Sequence, residues 1–569
     1  MALTKATNRM ISGAAINVLD FGAVGDGATD DTAAIQLALN AGSWVEFPET
    51  SGAFMVSGDL QLASNHYLFG GGTITRTDST KDIFQAIGTQ GTHVKNIRVE
   101  GLRFRDETIQ SGGTTGHPSM LRIGYGDDIT VHNNNFYNMN ALRVSVSALH
   151  GTADEEAAYA SITDANMNQR ISVTDNVGYC PNPTPSGSGS YFTALNYSRD
   201  FIISNNIIEN YLDAIYINGG YLAAVAMTDA QCKSFNGIVS DNTCSPVRVG
   251  LWTWTARDIL FDNNTIEGGT NESYDAESSI NITFQNSTIK TSSGVVFSTF
   301  FNVLNLQILN NTVEVDQPPA GSAPLFNASL GNNNNGEVVM RGNVCKGTNG
   351  IATLNPAFNS HLVIEGNTFE NVCIVGFAEM GMIDINNNDF IYDVEPTIEP
   401  IDLGSGILTP TSTTGYRRPT INIKYNSFVN NTDANINQTC IEVGHSTVAC
   451  YYNFVGNDIQ DFALGINLPV GYLDSDVLHT IITKDNKFDV TGNFMLIQDS
   501  SATTVSHVFT ENTNGSGLGI ITSTTPPSNS YYSVGSRNYF PVPTSGGHIG
   551  SVCITAGRPG SWYNFGVVS

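Results

Sequence analysis

The sequence predicts an all-β protein, a right-handed parallel β-helix of about 13 coils with an N-terminal capping helix and a β-rich C-terminal region. Three observations predict this fold: a repeat with asparagine at its corners, an apolar column beside those corners, and the composition. The chain has 569 residues, including 56 glycines, and only 14% are charged. A low charge argues against a disordered chain and fits a fold with many turns.

The repeat is visible in segments such as "ITVHNNNF", "FIISNNII", "ILFDNNTI" and "LVIEGNTF". Each alternates apolar and polar residues, and then has Asn, one variable residue and an apolar residue. Several corner-to-corner steps are 21 to 24 residues, the length of one β-helix coil, and steps of up to 42 predict inserted loops. A leucine-rich repeat has a similar period, but its leucine consensus and helical segment are missing. The corners are Asn134, Asn176, Asn206, Asn242, Asn264, Ser287, Asn311, Asn343, Asn367, Asn388, Asn426, Asn457 and Asn486.

Asparagine suits such a corner, because it tolerates left-handed backbone and its amide can bond the same side chain one coil away. The residue two positions after a corner is usually apolar, which predicts an inward-facing stack and assigns Cys244 and Cys345 to the core.

The opening segment Ile16–Asn40 combines a short strand, a glycine-rich turn and an amphipathic helix. We expect the helix, Ala33–Asn40, to cap the first coil. Asp26, Asp30 and Asp31 lack the spacing and terminal glutamate of an EF-hand, so the acidic turn is predicted to be structural.

Charge and cysteine usage exclude several function classes. The net charge is −27, so no basic footprint for nucleic acid is visible. No apolar run is long enough to insert into a membrane, and the N-terminus lacks a secretory signal. The eight cysteines show no C-x-x-C pair, so we predict neither metal nor cofactor, and synthesis in a reducing compartment.

The opening segment and the Asn-cornered coils resemble the pectate-lyase-like superfamily and, more narrowly, bacteriophage tailspikes. The last segment, "GSVCITAGRPGSWYNFGVVS" (Gly550–Ser569), resembles the closing segment of phage tail proteins. The resemblance implies a homotrimer in the virion tail that binds and cleaves a bacterial surface polysaccharide (O-antigen or capsule) outside the host cell. It also implies attachment to the phage tail, the baseplate or another tailspike.

The same resemblance divides the chain into three regions. Residues 1–58 are the opening segment with the helix cap, 59–500 the β-helix receptor-binding and catalytic domain, and 501–569 a C-terminal trimerisation domain.

A candidate sugar platform follows from counting ten residues past the corners. This column holds Tyr216, Trp252, Tyr274 and Phe297. Because the positions beside it are apolar and supply the core, the column is expected to face outward, where aromatic rings can carry sugar faces. Alternatively, these rings are buried in a subunit interface or under the long insertions.

Carboxylates lie beside this column. Hydrolysis of a glycosidic bond needs one protonated carboxyl and one carboxylate. We expect Glu272 to be the general acid and Asp213 or Asp275 the base. Strict alternation points Glu272 outward and the two aspartates inward. Sugar rings are expected on Tyr216, Trp252, Trp254 and Tyr274, and Arg248 is expected to bond an acidic or hydroxyl substituent.

The predicted activity is that of an endo-acting glycoside hydrolase. A polysaccharide lyase and a non-cleaving glycan-binding adhesin stay open, since an aromatic platform serves all three. A lyase commonly uses calcium, and no Asp cluster with ligand spacing is visible. An esterase needs a Ser/His pair or a metal that the sequence does not show.

Overall fold

The computed structural model describes most of the chain as short parallel strands joined by turns. It divides into two compact units, Met1–Gly294 with Thr299–Val303, and Val295–Ser298 with Leu304–Ser569. The described residues are 15–568 except 79, 107–118, 146–161, 182–190, 221–230, 269–270, 292–294, 301–302, 317–323, 329–336, 349–351, 356–360, 376–381, 397, 404–419, 433–438, 444–450, 471–478, 491–494, 500–504, 511–512, 515–536, 540–544 and 556–560.

The first unit opens with the strand Ile16–Asn17, a 3-10 turn at Val18–Phe21 and the helix Thr32–Ala41. The helix buries Ile35, Ala38 and Leu39. The acidic turn before it is structural, as predicted. Asp31 accepts hydrogen bonds from two backbone amides of the loop, and Asp30 accepts one from the backbone amide of Thr32.

Three parallel sheets form the first unit, and each complete coil contributes one strand to each sheet. The first sheet contains Ile16–Asn17, Trp44–Phe47, Tyr67–Gly70, Val94–Glu100, Gly126–His132, Asn168–Thr174, Ser198–Ser204, Ser234–Ser240, Ala256–Asp262 and Ile280–Gln285. The second contains Phe54–Val56, Thr73–Arg76, Arg103–Asp106, Asn135–Tyr137, Val177–Tyr179, Ile207–Glu209, Thr243–Ser245, Thr265–Glu267 and Thr288–Thr291. The third contains Leu60–Gln61, Phe84–Ile87, Ser119–Gly124, Asn140–Ser145, Tyr191–Asn196, Asp213–Asn218, Val249–Trp254 and Glu272–Glu277. A further 3-10 turn is Asp164–Asn166.

The second unit repeats this arrangement, and the strand Val295–Phe300 is divided between the units. Its first sheet contains Leu304–Leu309, Glu337–Arg341, His361–Glu365, Met382–Asn386, Thr420–Lys424, Tyr451–Val455, His479–Lys484 and Val505–Thr510. Its second contains Thr312–Val315, Val344–Gly347, Thr368–Glu370, Asp389–Tyr392, Ser427–Asn430, Asp458–Phe462, Lys487–Val490 and Thr513–Asn514. Its third contains Pro324–Ala328, Ala352–Asn355, Val372–Val375, Ile401–Asp402, Thr439–Glu442, Leu464–Val470 and Met495–Asp499. An antiparallel sheet follows, made of Arg537–Tyr539, His548–Thr555 and Ser561–Val567.

The predicted all-β parallel β-helix is confirmed. The described residues form more coils than the sequence predicts, because three coils precede the first asparagine corner. These early coils turn at Pro48, Gly70 and Gly101 instead; the φ angles of the two glycines are 131° and 72°.

The corner asparagines form a buried ladder. Asn206 shows the pattern: its Nδ2 donates to the carbonyl of Val173 and to Oδ1 of Asn242, each at 2.9 Å. Its Oδ1 accepts from the backbone N and from Nδ2 of Asn176, at 3.1 and 3.0 Å. The left-handed backbone expected at the corner belongs to the preceding residue, Asn205, whose φ is 56°. The corner side chain is thereby left free to stack between coils.

Among the described residues, no helix is long and apolar enough to cross a membrane.

Candidate functional site

Four neighbouring strands of the third sheet carry the candidate site: Tyr191–Asn196, Asp213–Asn218, Val249–Trp254 and Glu272–Glu277. Their register creates two outward columns. One column pairs Ala194, Tyr216, Trp252 and Asp275 in that order. The other pairs Asn196, Asn218, Trp254 and Glu277. Residues between the columns, such as Ile217 and Thr253, are fully buried in the core.

The prediction that Tyr274 holds a sugar ring is wrong. Tyr274 pairs with Leu251 in the core, its ring centroid lies 4.3 Å from that of Phe284, and its hydroxyl donates to Ser287 at 2.7 Å. The strand that contains Tyr274 begins at Glu272, eight residues after the corner Asn264, whereas the preceding strand begins at Val249, seven residues after the corner Asn242. Because strand side chains alternate, one extra residue exchanges the two faces.

Phe297, the last member of the counted column, is also buried, with 1% of its surface exposed. The platform is therefore shorter than the sequence predicts.

Four aromatic rings on the outer face of the sheet form a continuous stack, in which Tyr191 and Tyr216 are buried, with 9% and 5% of their surface exposed, and Trp252 and Trp254 are partly buried. The centroids of Tyr191 and Tyr216 are 5.0 Å apart with nearly parallel rings, and those of Tyr216 and Trp252 are 4.3 Å apart. Trp254 continues the stack, 6.0 Å from Trp252. Tyr191 could not be placed by counting from its corner, because a long insertion separates it from Asn176. One sequence feature bears on this strand: Gly178 stands two positions after its corner, where an inward apolar side chain is expected. The ring of Phe192, the neighbour of Tyr191, fills that space and lies 2.7 Å from where a Cβ on residue 178 would be.

Asp213 is held by Arg248. The Arg248 guanidinium donates to both carboxylate oxygens of Asp213, with its terminal nitrogen at 2.8 and 2.9 Å and Nε at 3.1 Å. Burial raises the pKa of Asp213 to about 6, and the guanidinium opposes that rise. Arg248 itself is 37% exposed. The pair anchors an accessible positive group at the edge of the site.

Glu272 lies two strands away from Asp213 in the same sheet, because Asp213 pairs with Val249 and Val249 pairs with Glu272. At the usual strand spacing this is roughly 9.5 Å. Burial raises the pKa of Glu272, while a hydrogen bond from the Asn271 amide and the charge of Arg248 oppose the rise.

Asp275 and Glu277 form a buried acid pair in the two outward columns. Burial, and then the charges of Glu277 and Glu272, raise the pKa of Asp275 well above its ordinary value. Burial also raises the pKa of Glu277 to about 7, with a hydrogen bond to Asp275 opposing the rise. Asp275 Oδ1 is buried and has no hydrogen-bond partner among the described residues.

Strict alternation predicts Asp275 to be inward, and this is wrong: the extra residue that buries Tyr274 also turns Asp275 outward, in register with Trp252. Asp213 does not point into the core either, since it meets the partly exposed Arg248 where its strand begins. The three predicted carboxylates, Tyr216 and both tryptophans thus lie on neighbouring strands of one sheet, and Arg248 immediately precedes one of them. Within the described residues, no group of three or more His, Cys, Asp or Glu is arranged to hold a metal ion.

Residues 15–294 match the family model described as rhamnogalacturonase A/epimerase, pectate lyase-like. This part of the chain is similar to that family, and the matched residues contain all four strands of the site. No curated protein sequence matches the chain.

Solved structures resemble the chain as well. The pre-mature bacteriophage phi29 gene product 12 has 14% identity and a TM-score of 0.50, over 96% of this chain and 80% of that one. A Family 28 exopolygalacturonase of Yersinia enterocolitica has 15% identity and a TM-score of 0.43, over 67% and 78%. A tailspike double mutant of E. coli bacteriophage HK620 in complex with pentasaccharide has 12% identity and a TM-score of 0.41, over 74% and 76%. At these identities the likeness concerns the fold alone.

Proposed function

We propose that this protein is a phage tailspike whose pectate-lyase-like region binds a bacterial surface polysaccharide and hydrolyses glycosidic bonds within it. One observation carries the enzymatic part. The outward aromatic stack runs in register into carboxyls whose environments raise their pKa values to different extents. A site that separates the pKa values of neighbouring carboxyls can supply an acid and a base at one pH.

The acid in this proposal is Asp275. Its pKa is raised well above the ordinary value, which favours the protonated form that a general acid needs, and it follows Trp252 in the platform column. The sequence alone predicts Glu272 in this role. The pKa of Glu272 is also raised, but Arg248 and Asn271 favour its ionised form, so Glu272 suits the base.

Asp213 is a positioning residue in this scheme. Both of its oxygens are occupied by Arg248, so it fixes the guanidinium instead of meeting the sugar. Arg248 would then bind a hydroxyl or acidic substituent beside the scissile bond.

The reaction proceeds by direct displacement. Asp275 donates its proton to the glycosidic oxygen as the bond from that oxygen to the anomeric carbon breaks. Glu272 removes a proton from a water molecule that attacks the opposite face of the same carbon. Inverting enzymes hold their two carboxyl groups far enough apart to admit this water, and the Cα atoms of Asp275 and Glu272 are three residues apart on one strand, roughly 10 Å. Exchange with solvent then restores both protonation states.

The phage context rests on the resemblance of the opening and closing segments, and it includes assembly as a homotrimer. Exposed apolar side chains, 38% to 46% accessible, support burial against further copies. They pair in register between coils: Tyr137 with Tyr179, Val177 with Ile207, and Ile202 with Ile238. A sedimentation mass of about three times 60.9 kDa is expected, and a monomeric mass would contradict the trimer.

The enzymatic proposal is tested by incubating the protein with a panel of purified O-antigens and capsules and measuring new reducing ends. Asp275→Asn is the matched inactive variant, since it keeps the shape of the side chain. Ultraviolet absorbance of an unsaturated product would identify a lyase instead. Binding without any new reducing ends would identify an adhesin.

A further inference from the structure

Asn196 lies at the end of the outward column formed by Asn196, Asn218, Trp254 and Glu277. It is 1% exposed, yet neither Oδ1 nor Nδ2 of its side chain has a hydrogen-bond partner among the described residues. Its backbone carbonyl, by contrast, accepts bonds from Asn168 and Ser198. Buried polar groups are nearly always paired, so an amide with both ends unpaired among the described residues is a candidate ligand-binding group.

Two further polar groups of the site are also buried without a hydrogen-bond partner among the described residues. The indole Nε1 atoms of Trp252 and Trp254 are buried and have no partner in the described part of the chain. Trp254 is two strands away from Asn196 in the same column, roughly 9.5 Å at the usual spacing between strands. Asn218, on the rung between them, is already engaged, since its Oδ1 accepts from the backbone of Gly220.

The unpaired atoms specify the chemistry of the missing partner. An indole N–H can only donate, whereas the amide of Asn196 both donates and accepts. The ligand must therefore offer acceptors to the indoles and an acceptor with a neighbouring donor to Asn196. A secondary amide meets the second requirement with two parallel hydrogen bonds.

The surroundings favour a ligand group with an apolar end. Glu272, Asp275 and Glu277 lie on the strand at the other end of these columns, and at the Asn196 end the column of Ala194 continues to Arg143. The apolar cluster of Tyr191, Ala194 and Tyr216 lies beside Asn196 and can receive a methyl group.

We propose that Asn196, with the indoles of Trp252 and Trp254, forms a subsite for an N-acetylamino sugar. The acetamido carbonyl accepts from Asn196 Nδ2, the acetamido N–H donates to Asn196 Oδ1, and ring or hydroxyl oxygens accept from the indoles. This inference rests on the proposed glycan-binding role of the site and makes the polysaccharide one that contains N-acetylated residues.

The test compares chitotetraose with cellotetraose, which differ in their acetamido and hydroxyl groups, as ligands of the full chain. Trp252 and Trp254 are two of the four tryptophans, so their fluorescence reports binding. Chitotetraose should bind at least about tenfold more tightly, because the site rejects an analogue that leaves its buried amide unpaired. Equal binding of the two sugars, or binding of neither, overturns the proposal.

Two variants sharpen the comparison. Asn196→Asp removes the donor to the acetamido carbonyl and should abolish the preference, and Trp254→Phe should weaken it while keeping an aromatic ring. Asn236→Asp makes the same change at an exposed position on another sheet and should leave the preference intact. If Asn196→Asp retains the preference, the subsite is wrong. Failure to cleave any polysaccharide would overturn hydrolysis but not this sugar preference.

Discussion

Replacing Glu277 by glutamine separates its electrostatic role from a direct chemical one. Burial is the largest cause of the raised pKa of Asp275, and the charge of Glu277 is the next. Glu277→Gln keeps the size of the side chain but removes that charge. Asp275 should then lose its proton at a lower pH, and the alkaline limb of activity should move down.

The size of the shift follows from strand geometry. The Cα atoms of Asp275 and Glu277 are two residues apart on one face, roughly 6.6 Å at about 3.3 Å per residue, and their hydrogen-bonded carboxyls are closer than that. With an effective dielectric constant of about 20, two unit charges roughly 6.6 Å apart interact by about 2.5 kcal/mol, which is a lower bound for this pair. Dividing by about 1.4 kcal/mol per pKa unit gives a shift of at least about 2 pH units. Asp275 is only 4% exposed, so solvent screens this interaction little.

The effect should depend on pH in a defined way. Because the pKa of Glu277 is about 7, its charge is absent in acid, and the variant should match the native protein there. Above pH 7 the variant should lose activity first. Initial rates of reducing-end release across the pH range measure this, with the exposed Glu267→Gln as the control. An unmoved alkaline limb refutes the electrostatic role, and equal loss at every pH makes Glu277 a reacting group.

Three other predictions concern the site and the ladder. Glu272→Gln should reduce turnover by roughly 10²–10⁴-fold, the usual effect of one general acid or base, and leave glycan affinity nearly unchanged in calorimetry. Trp252→Ala should instead weaken binding first, by about 1 kcal/mol for the lost ring contacts; unchanged affinity would place the sugar elsewhere. Asn206→Ala removes four buried hydrogen bonds and should cost about 4 kcal/mol at about 1 kcal/mol each, seen as faster unfolding in denaturant. Asn264→Ser should cost less, because the ladder already accepts serine at Ser287, whose Oγ accepts from the backbone of Asn264.

The coil architecture could be predicted because its determinants recur locally in the chain. Each corner asparagine and the apolar residue two positions later lie within one short segment, so the period is visible without tertiary information. The ladder of side-chain amides, the buried Cys244 and Cys345, and the helix before the first coil all follow from such local patterns.

The face that each site residue occupies was decided only by the tertiary structure. Counting from Asn264 does not reveal whether an extra residue is absorbed in the turn or in the strand, and that choice puts Tyr274 in the core and Asp275 on the opposite face of the strand. The contacts of Arg248 with Asp213, and the alignment of Asn196 with Trp254, join residues 35 and 58 positions apart in the chain. The raised pKa values depend on burial, which results from packing between coils and leaves no local mark in the sequence.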